Sequence, residues 1–313
     1  MSTANLKKHR SGMKPAWDDH LMNIIAYGFT GLLMFICAYP LYYTVIASFS
    51  DPAALHAGKI TFWPVDFTVE AYELAFQNST IWRGYKNSLG FTVFGTLFNL
   101  ILTLPAAFAM SRKRMFGRKV VTVIFLISMY FGGGLIPFYL LIDSLGLIDT
   151  YWVIIIIGGV SLYNVIVTRT FMENNIPEEL YESARIDGAS EFRIFVQMTL
   201  PLSGAIIAVM TLYYATGRWG QWFDSMIYTL DDDLISLQLA LRRILILNQS
   251  AFDTIAKMDN QNTEALALAL RRKEVAATMR YSVVFIASAP MLILYPFVQK
   301  HFVKGVMVGS IKG

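Results

Sequence analysis

The chain has 313 residues, of which 55% are hydrophobic and only 15% charged, and its formal net charge is +4. Soluble domains carry about 25% charged residues, so this composition argues against a soluble enzyme and for a protein dissolved in lipid. The single cysteine, Cys37, excludes an internal disulfide framework or a multi-cysteine metal site, and the basic residues gather in short segments beside apolar runs, which favours membrane topology over nucleic-acid binding.

The first apolar run, Ile24 to Ser48, follows Lys7, Lys8, Arg10 and Lys14 but is too long for a signal peptide's apolar region, so it reads as an uncleaved spanning helix. Residues 1–23 then form a cytoplasmic segment. Further spans are predicted at Ser88 to Met110, Val120 to Ile142, Tyr151 to Phe171, Leu202 to Trp219 and Tyr281 to Val298. The expected fold is therefore all-α: a polytopic membrane protein with six transmembrane helices over 24–304 and a tail at 305–313.

Lysine and arginine mark the cytoplasmic side of short loops. They place the N-terminus, the loop with Arg112, Lys113, Arg114, Arg118 and Lys119, the loop Glu173 to Pro201 and the C-terminal tail inside. A long external segment at about 220–280 carries no separate domain, and its stretch Leu234 to Leu247 reads as an exposed amphipathic helix. Asn78-Ser79-Thr80 and Asn248-Gln249-Ser250 match a glycosylation pattern too short to carry weight. Asp231-Asp232-Asp233 reads as a solvated run rather than a cation site, and no pair of histidines has metal-ligand spacing.

The loop Glu173 to Pro201 has its own architecture. Pro177, Glu178 and Glu179 suit a helix start, Gly188 suits a left-handed helix end, and Ser190 offers an N-cap for a second helix from Glu191 to Thr199. Leu200 and Pro201 then open the next span. A helix, glycine, helix element joined to a spanning helix transmits force into the membrane.

Glu182, Ser183, Ala184, then Asp187, Gly188 and Ala189, and finally Leu200 and Pro201 resemble the coupling-loop motif of type I, binding-protein-dependent ABC importer permeases, with Ser183 in place of the motif's first alanine. Six spans, the long outer segment and the terminal Gly305 to Gly313 extend the likeness to the second permease of bacterial complex-sugar importers. The resemblance implies a non-catalytic subunit in the bacterial plasma (inner) membrane, multi-pass with both termini cytoplasmic. It also implies a second homologous permease, a separate ATPase dimer that uses ATP and Mg, and an external or periplasmic solute-binding protein that delivers a carbohydrate. Glu182 then pairs with an arginine of the ATPase, and Gly188 shapes the docking helices. The chain has no phosphate-binding Gly-x-x-x-x-Gly-Lys-Ser/Thr loop of its own.

For the translocation path, the polar intramembrane residue Asn164 is a candidate. Gly132, Gly133 and Gly134 with Pro137 interrupt the third span, where they either line a cavity or permit close helix packing. Trp219 and Trp222, beside Arg218 and Gln221, offer rings for sugar stacking, although tryptophan also anchors helices at membrane interfaces. A channel or ion-driven carrier is the alternative class, and an intramembrane enzyme lacks a visible nucleophile or metal set.

Overall fold

The computed structural model describes residues 17–244, 246, 278–293, 295 and 296. In chain order the helices are α1 (Trp17–Ser48), α2 (Pro52–His56), α3 (Glu70–Gln77), α4 (Ser79–Ser111), α5 (Arg118–Tyr130), α6 (Leu135–Ser144), α7 (Tyr151–Ile156) and α8 (Leu162–Asn175). They continue with α9 (Glu178–Ile186), α10 (Glu191–Ile194), a π-helical turn (Phe195–Thr199), α11 (Leu200–Leu202), α12 (Gly204–Trp219) and α13 (Phe223–Tyr228). Residues 237–244 form α14, and Thr278–Ile293 forms α15. Predicted features at residues 1–16, 247–277 and 297–313, the tail among them, lie outside the described residues.

Only α1 and α4 are single helices long and apolar enough to cross a bilayer among the described residues; two bent pairs raise the number to four. The predicted third span is not one rod: α5 and α6 meet at 112° across Phe131–Gly134. Gly134 adopts φ +85°, which a side chain resists, and the glycines before it leave the backbone uncommitted. The predicted fifth span starts two residues late, because α10 to α11 and α12 meet at 82° around Ser203. The predicted fourth span is also broken, between α7 and α8, where Gly158 has φ +69°.

The 33 residues of α4 reach about 50 Å and make it the axis of the molecule, packed against α12, α8 and α7. Its inward face is small and polar, with Gly95, Thr96, Asn99, Thr103 and Ala107 all buried. Lipid offers no hydrophobic drive for helix pairing, so close approach and interhelical hydrogen bonds do that job. Thr103 Oγ1 and the Tyr214 hydroxyl lie 2.6 Å apart, joining α4 to α12.

The α7–α8 break exposes carbonyls within an apolar layer, where each needs a partner. Two side chains supply them. Arg218, buried near the end of α12, donates from Nη1 to the carbonyls of Ile154 (2.5 Å) and Ile157 (2.8 Å) and from Nη2 to that of Ile155 (3.0 Å). Its Nε donates to Asn99 Oδ1 at 3.0 Å, and Asn99 Nδ2 in turn donates to the carbonyls of Gly158 and Gly159, both at 2.7 Å. Gly95 leaves the room this needs, since a Cβ there would stand 2.8 Å from Arg218 Nε. The guanidinium thus sits on the C-terminal end of α7, where a cation is favoured by the helix dipole.

The outer segment folds back onto the same axis. Asn87 donates to the carbonyls of Asp233 (2.7 Å) and Ile235 (3.0 Å), and the Leu237 amide donates to Ser88 Oγ at 2.8 Å. Consequently α14 is not the exposed amphipathic helix that the sequence suggests: Leu237, Leu239, Ala240 and Leu241 are buried, two of them in a cluster with Ala71, Ile81 and Val283. The acidic run is paired, Asp233 with Arg83 at 2.6 Å and Asp232 with Arg243 at 2.5 Å. Asn78 serves as the N-cap of α4, accepting from the Thr80 amide at 3.0 Å.

Arg218→Ala leaves three buried carbonyls without their donor, at about 1–3 kcal/mol each. Its apparent melting midpoint in detergent is expected to fall by at least about 5 °C. Arg243→Ala, which loses only an exposed pair, is the control and is expected to change stability by less than about 1 kcal/mol. Equal shifts for the two variants would show that the Arg218 contacts carry no stability.

Candidate functional site: a helix-turn-helix lever between spans

Helix α8 ends at Asn175, and Pro177 precedes α9 with Glu178 and Glu179 in its first turn and Arg185 in its last, the charge order that a helix dipole favours. The exit from α9 is a Schellman turn. The Ala189 amide donates to the Ala184 carbonyl and the Gly188 amide to that of Arg185, both at 3.0 Å. Gly188 takes φ +78° with open space where a Cβ would be, so backbone conformation and not crowding demands glycine. Ser190 then caps α10 by accepting from the Arg193 amide at 3.3 Å, and Arg185 Nε donates to Glu191 Oε1 at 2.9 Å across the turn.

Nine residues form a marginal helix alone, so α9 depends on what it is bolted to. The bolt is Tyr181, fully buried, with Phe108 of α4 beside it at 6.3 Å between ring centroids. The guanidinium carbon of Arg112, just past α4, lies 3.4 Å from the Tyr181 ring centroid, while Arg112 Nε and Nη2 donate to Ser111 Oγ at 3.1 and 2.9 Å. Arg112 Nη1 faces Glu178 Oε2 at 3.9 Å. Phe195 packs on Phe108 at 5.2 Å, and Thr199 Oγ1 donates to the Tyr181 hydroxyl at 3.5 Å.

The second helix of the loop is not uniform α. Pro201 has no amide hydrogen, and the turn before it widens so that the Leu200 amide bonds to the Phe195 carbonyl, five residues back. Leu200 packs partly against the Tyr181 cluster, Pro201 is exposed, and the chain bends at Ser203 before entering α12. The lever therefore meets its span through a right-angled elbow instead of opening straight into it.

Of the motif residues, Glu182, Ser183, Asp187 and Gly188 stand exposed together, while Ala184 and Ala189 pack inward. Sequence reasoning missed two exposed apolar residues of the same loop, Ile186 at 87% exposure and Phe192 at 75%. The signal for Ile186 was available, since it lies four residues after Glu182 and shares its helix face. Arg112 was read only as a topology marker; its part in holding α9 needs the tertiary structure.

The path candidates separate. Asn164 is buried in the first turn of α8, its backbone N–H donating to the capping Ser161 Oγ at 3.4 Å. Gly133 and Pro137 are exposed, and a Cβ at Gly133 would meet nothing within 4 Å, so no close packing among the described residues explains the glycine. Trp219 is neither an interface anchor nor a sugar platform: it is buried and donates from Nε1 to the Ala287 carbonyl at 2.8 Å, tying α12 to α15. The ring of Trp222 is covered by Arg242, whose guanidinium carbon lies 3.8 Å from its centroid. An aromatic cleft of about 520 Å³ beside Phe49, Tyr72, Trp82 and Phe285 is poor in hydrogen-bonding groups for a sugar. The Tyr72 hydroxyl is already 2.7 Å from Ser48 Oγ, and Trp82 Nε1 donates to the Phe76 carbonyl at 2.8 Å.

Gly188→Ala forces a side chain into the left-handed region at about 1–2 kcal/mol. Amide exchange at residues 188 and 189 is expected to accelerate by roughly tenfold while exchange in α4 stays unchanged; unaltered exchange at the turn would remove the conformational argument for glycine.

Comparison with known proteins places this geometry in context. Residues 80–308 match the family model described as binding-protein-dependent transport system inner membrane component. The Bacillus subtilis (strain 168) polygalacturonan/rhamnogalacturonan transport system permease protein YtcP is 32% identical over 295 residues, covering 94% of this chain and 99% of that protein. Protein LplC of the same organism is 35% identical over 291 residues, covering 93% and 94%. Among solved structures, a chain from the crystal structure of a bacterial ABC transporter involved in the import of the acidic polysaccharide alginate superposes with a TM-score of 0.78 at 30% identity, covering 92% of this chain and 98% of that one. The lever, the axial α4 and the broken spans are thus those of a polytopic transport permease, and the chain belongs to the family of binding-protein-dependent transport system inner membrane components.

Proposed function

We propose that this chain is one of two permeases forming the translocation path of a bacterial carbohydrate importer, and that a separate ATPase docks on the edge presented by Glu182, Ile186, Asp187 and Phe192. The observation that carries this reading is mechanical. An exposed polar and apolar edge is joined through Tyr181, Phe108 and Arg112 to α4 and through the Ser203 elbow to α12. Closure of an ATPase dimer on ATP and Mg would push that edge and swing α4, α8 and α12 as one frame. The distribution of basic residues supports a cytoplasmic lever with both termini, 1–23 and 305–313, on the same side of a membrane domain of 24–304.

The substrate we infer is an oligosaccharide bearing uronic acids, delivered by an external binding protein. Support comes from two relatives, a polygalacturonan/rhamnogalacturonan transport system permease and a transporter involved in the import of the acidic polysaccharide alginate. The open break at Gly133 and Pro137 is the part of this chain proposed to line the path, whereas Asn164 is buried within the chain.

Glu182→Ala removes an exposed carboxylate without touching the core, so the permease is expected to fold and assemble normally. In proteoliposomes holding the complete importer, uptake of a labelled oligogalacturonate should fall by at least about tenfold, the loss expected when a charged interface contact is truncated. Wild-type uptake by the variant would reject the docking role. Uptake of a neutral maltooligosaccharide in preference to the oligogalacturonate would reject the substrate class alone.

A further inference from the structure

We infer that the cytoplasmic ends of α5 and α8 form a binding site for an anionic phospholipid. The groove there has a volume of about 770 Å³ and is lined by Lys113, Arg118, Lys119 and Arg169 together with Val120 and Val123. Glu173 is the acid at its edge, and it is already shared: Arg169 Nε donates to its Oε1 at 3.1 Å, and Arg118 Nη2 donates to the same oxygen. That cluster keeps one positive charge in excess. Lys113, Arg114 and Lys119 form no ion pair among the described residues, which raises the local excess further.

The groove is amphiphilic. Its basic rim leads directly onto α5, a helix with no buried residue, whose Val120, Val123, Ile124 and Ile127 all stand more than half exposed. Phe116, at the tip of the turn between the basic residues, is 100% exposed. An aromatic ring in that position belongs at the headgroup level of a bilayer, and the cations around it attract acidic lipid headgroups. An acidic protein partner would complement the rim but not the apolar wall that continues into the hydrocarbon layer. A phosphate headgroup with its acyl chains satisfies both. The site lies beside the lever, since Arg118 and Glu173 also line the polar pocket of about 510 Å³ that reaches Pro177 and Glu178. The inference needs only that the chain is embedded in a membrane and is independent of the cargo.

The test uses the complete importer, purified in mild detergent from membranes containing phosphatidylglycerol and phosphatidylcholine, with bound lipid measured by native mass spectrometry. Wild type is expected to retain phosphatidylglycerol over phosphatidylcholine, and the double variant Lys113→Ser, Lys119→Ser to retain on the order of tenfold less. Both lysines are exposed, so the fold is spared; ATPase activity dependent on Glu182 in the same preparation reports separately on the docking role. Equal retention by wild type and variant would overturn the site. So would displacement of the lipid by inorganic phosphate, which would make it a plain anion site. Loss of the ATPase subunit with lipid unchanged would likewise overturn it, making the surface a protein dock.

Discussion

Backbone that leaves its helix inside a membrane must find hydrogen bonds within the protein, and the arrangement of this molecule follows from how that requirement is met at residues 157–161. Placing an arginine in a span costs about 3 kcal/mol on insertion scales. Arg218 offsets that cost by donating to three carbonyls and to Asn99, whose own amide serves two more. Neither residue would be tolerable alone. Together they fix the direction in which α8 leaves the break and hold it against α4 and α12.

The same three helices are joined again at their other ends. Helix α8 runs into the lever and α12 runs out of it, while Tyr181 and Arg112 fasten the lever to the end of α4. The frame is thus closed at both levels, by a guanidinium at one end and by a helix-turn-helix at the other. Under the proposed docking role, a closed frame would pass a push on the lever to the whole of α4, α8 and α12, where a single flexible connection would absorb it. The π-helical turn before Pro201 and the bend at Ser203 are the places where this frame departs from regular helix, and they lie between the lever and α12.

Much of this was legible in the residues. Apolar run length located α1 and α4 as spans and the bent pairs α5–α6 and α10–α12, three consecutive glycines before Pro137 marked the α5–α6 break, and the order Pro177, Gly188, Ser190 set out the lever, because each signal is local. The α7–α8 break was not legible, because Gly158 and Gly159 sit inside a continuous apolar run and the groups that make the break tolerable lie about 60 positions away on either side in sequence. Trp219 and α14 were misjudged for a related reason. An amphipathic pattern or a tryptophan at a span end looks solvent-facing until a distant segment, here α15 or the outer end of α4, packs over it. Arg112 shows the limit most plainly: a basic residue after a span satisfies the topology rule whether or not it also carries a buried aromatic contact.

The central claim is that the exposed edge of the lever touches the ATPase. The most direct measurement is site-specific crosslinking in the assembled importer, with Cys37 replaced by serine and a single cysteine introduced by Ile186→Cys. A short thiol crosslinker is predicted to join position 186 to the ATPase subunit in good yield, with Tyr163→Cys, exposed on α8 beyond the lever, giving none. Crosslinking of position 186 to the external binding protein, or to no subunit while the complex remains active, would contradict the account.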